Sequence, residues 1–143
     1  MRLLAFWDAS ALVPLCVPQA ATATAARLSD TYNAVVWWAT RVELAGALAR
    51  LERMGEIDRA GLTQANRLAS GLADDWHVVD PSDVLLERAV QIVSRYDLRA
   101  ADSLQLAAAL DWCEDVPGGR VFLTADKRLR DAALLSGFDV PQI

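Results

Sequence analysis

The chain has 143 residues, 54% of them apolar and 23% charged, which suits one domain with a sizeable core and excludes a disordered chain. Nineteen acidic against 14 basic residues give a net charge of −5, so no broad basic surface advertises a nucleic-acid partner. No apolar run approaches the roughly 20 residues that cross a membrane. Asp8 also interrupts the first apolar stretch too early for a secretory leader. The expectation is a cytoplasmic domain without membrane attachment.

From the N-terminus, Leu3 to Trp7 reads as a strand, followed by helical spacing over 10–16 and 19–30. Ala34 to Trp38 reads as a second strand, with helices over 40–54 and 58–73. Its adjacent tryptophans, Trp37 and Trp38, should point to opposite faces of the sheet, and both are expected in the core. A third strand, Trp76 to Val79, precedes helices over 82–95 and 100–114. A fourth, Arg120 to Thr124, precedes a helix over 126–136, and a weak fifth lies near Phe138 to Val140. Such alternation predicts an α/β/α sandwich with a parallel sheet covered on both faces, one domain over 1–143.

The inventory of reactive side chains is narrow. His77 is the single histidine and reads as a strand residue, while Cys16 and Cys113 sit in apolar surroundings and read as packing. No zinc-type spacing, Gly-x-Ser-x-Gly elbow or glycine-rich phosphate loop is present. Carboxylates remain. In open parallel sheets, ligands bind beyond the carboxyl ends of the strands, and four acids fall there. Asp8 ends the first strand, Asp126 follows the fourth, Glu43 enters the helix after the second, and Asp102 opens the most apolar helix.

Helix capping is the competing explanation, since Asp8, Asp102 and Asp126 all lie near helix starts. Glu43, in turn, could simply pair with an arginine. Asp102 shares a helix face with Leu106, Ala109 and Cys113, which predicts a buried carboxylate in need of a partner. Glu43 falls on the flank of the stripe formed by Leu44, Ala47, Leu48 and Leu51. Carboxylates brought together raise one another's pKa, and a divalent cation removes that conflict. Their hard oxygens suit Mg²⁺ or Mn²⁺. Without these four, 15 acidic residues face 14 basic ones, and a bound cation would reverse the local sign.

These residues carry a family resemblance. The chain resembles a PIN-domain ribonuclease, specifically the VapC-type toxin of a type II toxin–antitoxin pair. The matching motifs are Asp8-Ala9-Ser10-Ala11-Leu12, Glu43 within a helix, Arg99-Ala100-Ala101-Asp102-Ser103-Leu104-Gln105-Leu106-Ala107, and Thr124-Ala125-Asp126-Lys127-Arg128-Leu129. The resemblance spans essentially the whole chain. It implies a PIN-like α/β/α sandwich with sheet order 3-2-1-4-5. It also implies an acidic pocket of Asp8, Glu43, Asp102 and Asp126 that binds Mg²⁺ or Mn²⁺, with Ser10 and Thr124 as accessory residues. The implied reaction is endonucleolytic hydrolysis of RNA by metal-activated water, inhibiting translation and growth.

The implied partners are RNA, a small VapB-type antitoxin laid over the site, and a second copy in a homodimer. Arg99, Lys127 and Arg128 are candidate RNA contacts, with the alternatives that Arg99 pairs with the acidic cluster and that the other two simply face solvent. A single lysine, Lys127, is a departure that leaves substrate grip to arginine and metal. Two other readings compete. A receiver-like phospho-signalling domain would use Asp80, Thr124 and Lys127, but it leaves Asp102 unexplained and lacks an acidic pair after the first strand. A catalytically silent PIN-like binding module is the other.

Overall fold

The computed structural model describes residues Arg2–Ile143. Four strands form one sheet: β1 (Leu3–Trp7), β2 (Tyr32–Trp37), β3 (His77–Val79) and β4 (Val121–Leu123). Its order is β3-β2-β1-β4 and every pairing is parallel. Registers place Ala5 of β1 between Ala34 of β2 and Val121 of β4. The oldest strand in the chain therefore sits inside the sheet, with its last partner contributed from near the C-terminus.

Seven helices cover the sheet: α1 (Ala9–Cys16), α2 (Thr22–Thr31), α3 (Thr40–Arg53), α4 (Arg59–Ala73), α5 (Asp83–Arg95), α6 (Ala100–Trp112) and α7 (Lys127–Ser136). Local chemistry starts several of them. The Asp58 and Ser82 side chains accept from Gly61 and Leu85 N–H groups, satisfying donors that the first turn leaves free. At the end of α7, Gly137 adopts φ 110°, a left-handed cap that lets Phe138 N–H return to the Ala133 carbonyl.

Alternation along the strands divides the interior in two. Phe6, Val35, Trp37 and Phe122 face α5, α6 and α7, where Leu85, Ile92, Leu106 and Leu129 meet them. Ala5, Trp7, Val36 and Leu123 face the opposite side, against Leu12, Leu44, Leu48 and Ala65. Side-chain period two on a doubly covered sheet produces such a pair of cores. Burial also grades along the strands: Leu3 and Leu4 are exposed, whereas Ala5, Phe6 and Trp7 are buried. The covered carboxyl ends are where the acidic residues leave the sheet.

Two expectations need correction. The fifth strand of the order 3-2-1-4-5 is reduced to a single parallel bridge, Val121 with Asp139. Asp139 takes both backbone bonds available, accepting from Phe122 and donating to Arg120. Gly137 in its left-handed turn and Pro141, which has no N–H, confine pairing to that one residue. The second correction concerns Trp38, which lies just past β2 and is 59% exposed, while Trp37 is buried at 5%. The chain turns into α3 at that point, so no helix covers the second indole.

Candidate active site

Asp8 is the residue at which β1 becomes α1. Its N–H still extends the sheet, donating to the Leu123 carbonyl at 2.9 Å. It occupies the N-cap position of α1 but its side chain makes no capping hydrogen bond. Instead, Oδ2 accepts two hydroxyls, from Ser10 Oγ at 2.5 Å and from Thr124 Oγ1 at 2.8 Å. Each hydroxyl also accepts a backbone N–H from the β4–α7 turn, Ala125 to Ser10 and Asp126 to Thr124. With both protons committed to Asp8, the 3.1 Å contact between the two hydroxyls has none left to share. This network ties the first strand to the fourth and holds Asp8 in one orientation.

Asp126 begins α7 and does act as a cap, its Oδ1 accepting from Leu129 N–H at 2.9 Å. Asp102 lies in the first turn of α6, half-buried rather than fully enclosed, and makes no capping bond there. Glu43, in the first turn of α3, is also half-buried, and its Oε2 accepts from Gln105 Nε2 at 2.5 Å.

The four carboxylates sense one another. Burial raises the pKa of Asp8, against the opposing effect of the two hydroxyls, and the charge of Asp126 raises it further. Glu43 is pushed up to about 7, first by burial and then by Asp8 and Asp102, with the Gln105 hydrogen bond working the other way. Asp102 is pushed up to about 6, first by burial and then by the charges of Asp126 and Asp8. Positive charge from Arg99 and Arg128 offsets part of this. Both arginines are exposed, and neither closes an ion pair with Asp102. Lys127 is exposed in the first turn of α7.

Sequence reasoning passed over two residues here, Thr40 and Gln105, which bond to each other across α3 and α6. A glutamine and a serine among the leucines and alanines of an apolar helix were the available signal. Only the fold reveals that Gln105 reaches Glu43.

An oxygen-only donor set, in which burial and acidic neighbours raise Asp8, Glu43 and Asp102, suits a hard divalent cation, and the residues present fit one. Among the described residues no three acidic, histidine or cysteine side chains stand close enough to hold an ion by themselves. Asp8, Glu43, Asp102 and Asp126 are the residues that would hold such an ion, which would supply charge neutralisation among them.

Fold and site together define an α/β/α domain with an acidic cluster at the carboxyl edge of a parallel sheet. The PIN domain profile matches residues 5–135, and the chain belongs to the PIN domain family. The receiver-like alternative falls with that membership, and its Asp80 is an exposed residue beyond β3.

Solved structures share the fold at low sequence identity. The chain is similar to FitAcB from Neisseria gonorrhoeae, at 17% identity over 95% of this chain and 97% of that one, with a TM-score of 0.67. It is similar to PAE2754 from Pyrobaculum aerophilum, at 18% identity over 91% and 79%, with a TM-score of 0.63. A toxin–antitoxin complex from Klebsiella pneumoniae matches at 16% identity over 85% and 86%, with a TM-score of 0.59. A search of curated proteins found no match.

Proposed function

We propose that this chain is the toxin of a toxin–antitoxin pair, an endoribonuclease that hydrolyses RNA phosphodiester bonds at Asp8, Glu43, Asp102 and Asp126 with Mg²⁺ or Mn²⁺. The observation that carries the reading is the electrostatic coupling of these four carboxylates, each raised or raising another, at one edge of the sheet. PIN domains are generally nucleases, which supports phosphodiester chemistry at such a site. Similarity to the Klebsiella toxin–antitoxin complex supports a small protein antitoxin as partner.

Within this reading the chain's own groups divide the work. Ser10 and Thr124 fix Asp8 through one oxygen and leave the other out of their network. Asp126 accepts its helix-cap bond at Oδ1 and leaves Oδ2 outside that bond. A divalent cation held here supplies charge neutralisation at the phosphate and a bound water of lowered pKa. Arg99 and Arg128, whose charges act on Asp102, are exposed, which supports them as contacts for RNA phosphate together with exposed Lys127. A homodimer and action against translation complete the proposal.

The test is cleavage of a whole-cell RNA pool by antitoxin-free protein with Mg²⁺ or Mn²⁺, with EDTA, and with Asp102→Asn. Discrete cleavage by the wild type alone, abolished by EDTA, is the expected result. Cleavage retained by Asp102→Asn overturns the ligand assignment. No cleavage by wild type that binds Mn²⁺ favours the silent binding module.

A further inference from the structure

Gln105 is 1% exposed and Thr40 is completely buried. They lie 65 residues apart, one on α6 and one at the start of α3, and meet through a hydrogen bond of 3.1 Å from Gln105 Nε2 to Thr40 Oγ1. The same nitrogen donates to Glu43 Oε2. In its ionised form, the one that would ligate a cation, Glu43 only accepts, so this contact fixes which way the amide faces. Both N–H protons are thereby used. Thr40 and Glu43 stand three apart on α3 and share a face, so one amide grips the helix at two points.

The other end of the amide is different. Gln105 Oε1 is buried and has no hydrogen-bond partner. A half-satisfied amide in a low-dielectric interior is a poorer stabiliser than an apolar side chain of the same shape. An unbranched methionine would fill the space without that orphaned oxygen, at the cost of leaving the Thr40 hydroxyl without this partner. What methionine cannot do is hold Glu43. Glutamine is also neutral, so it orients the glutamate without cancelling the charge that attracts a cation; an arginine or lysine in this place would compete with the ion.

We infer that Gln105, braced on Thr40, is a positioning residue for Glu43 and sets how tightly the carboxylate cluster binds a divalent cation. The inference rests on the carboxylate reading above and extends it to a residue outside the acidic set. Partners that orient a ligating carboxylate are worth roughly 10–100-fold in metal affinity.

The experiment measures Mn²⁺ affinity by calorimetry or electron paramagnetic resonance for wild type, Gln105→Met, Glu43→Gln and the double variant, with circular dichroism and Tm on each. Gln105→Met is expected to weaken Mn²⁺ binding about tenfold or more, with the native circular dichroism spectrum retained. In the Glu43→Gln background the same change should cause no further loss. Thr40→Val removes the brace without altering α6 and is expected to weaken binding in the same direction. Wild-type affinity in both Gln105→Met and Thr40→Val overturns the inference and leaves the carboxylate reading standing. An equal loss with Glu43 already replaced also overturns it, because the effect would then be structural. Failure of the wild type itself to bind Mn²⁺ overturns the carboxylate reading, and this inference with it.

Discussion

Asp8 shows how far a single residue's role can be read from its neighbours in the chain. Its position before a helix suggested a cap as readily as a ligand, and the two readings could not be separated by spacing. In the structure the Asp8 side chain makes no cap bond and instead accepts two hydroxyls, one of them 116 residues away. Glu43 and Asp102 carry a consequence for stability. Their folded-state pKa values, about 7 and about 6, exceed the ordinary 4.5 and 3.8. Between about pH 4 and 7 the folded chain holds more protons here than the unfolded chain, so stability falls as pH rises through that window. In EDTA, Tm should therefore decline across it, and Glu43→Gln should flatten the decline and raise Tm at pH 8. Excess Mn²⁺ should raise the wild-type Tm more at pH 7.5 than at pH 5, since binding favours the ionised folded state. Differential scanning calorimetry across pH reads all three.

At the scale of elements, the seven helices and four strands of the described residues were legible from hydrophobic periodicity, with ends displaced by up to three residues, the most at the start of α2, expected at 19 and found at Thr22. The fifth strand and Trp38 were not, for a common reason. Both depend on what lies opposite: Asp139 has a neighbouring strand for one residue only, and Trp38 has no helix above it. Asp126 combines two demands on one element, since it caps α7 and joins the acidic cluster. Substitution can pull these apart. Asp126→Asn retains a good capping side chain, so Tm should change little while RNA cleavage is lost. Asp126→Ala should lose cleavage and also about 1 kcal/mol of stability, the usual worth of a cap. Thermal melts paired with cleavage assays on the two variants check both expectations. Gln105 was the least legible site residue, because its significance comes from α3 crossing its path rather than from anything within α6.

For the molecule as a whole, the parallel sheet was readable from the alternation of elements, and the rule that such sheets bind at their carboxyl ends is what singled out the four acids. The pairing of β1 with both β2 and β4 has a further consequence, in time rather than in space. A chain emerges from the ribosome N-terminus first, so β1 and β2 can pair long before β4 exists. Throughout synthesis up to Val121, β1 has an open edge, and Asp8 lacks the Thr124 hydroxyl that helps hold it. Asp102 and Asp126 are likewise late arrivals. On the proposed reading, a chain that attacks RNA would stay inert on the ribosome until β4 has emerged. Stalled nascent chains whose emerged part stops short of Val121 should cleave no RNA, and stalled complexes exposing all 143 residues should. The strand order itself sets that delay, since Asp8 gains the Thr124 hydroxyl only once β4 has been made.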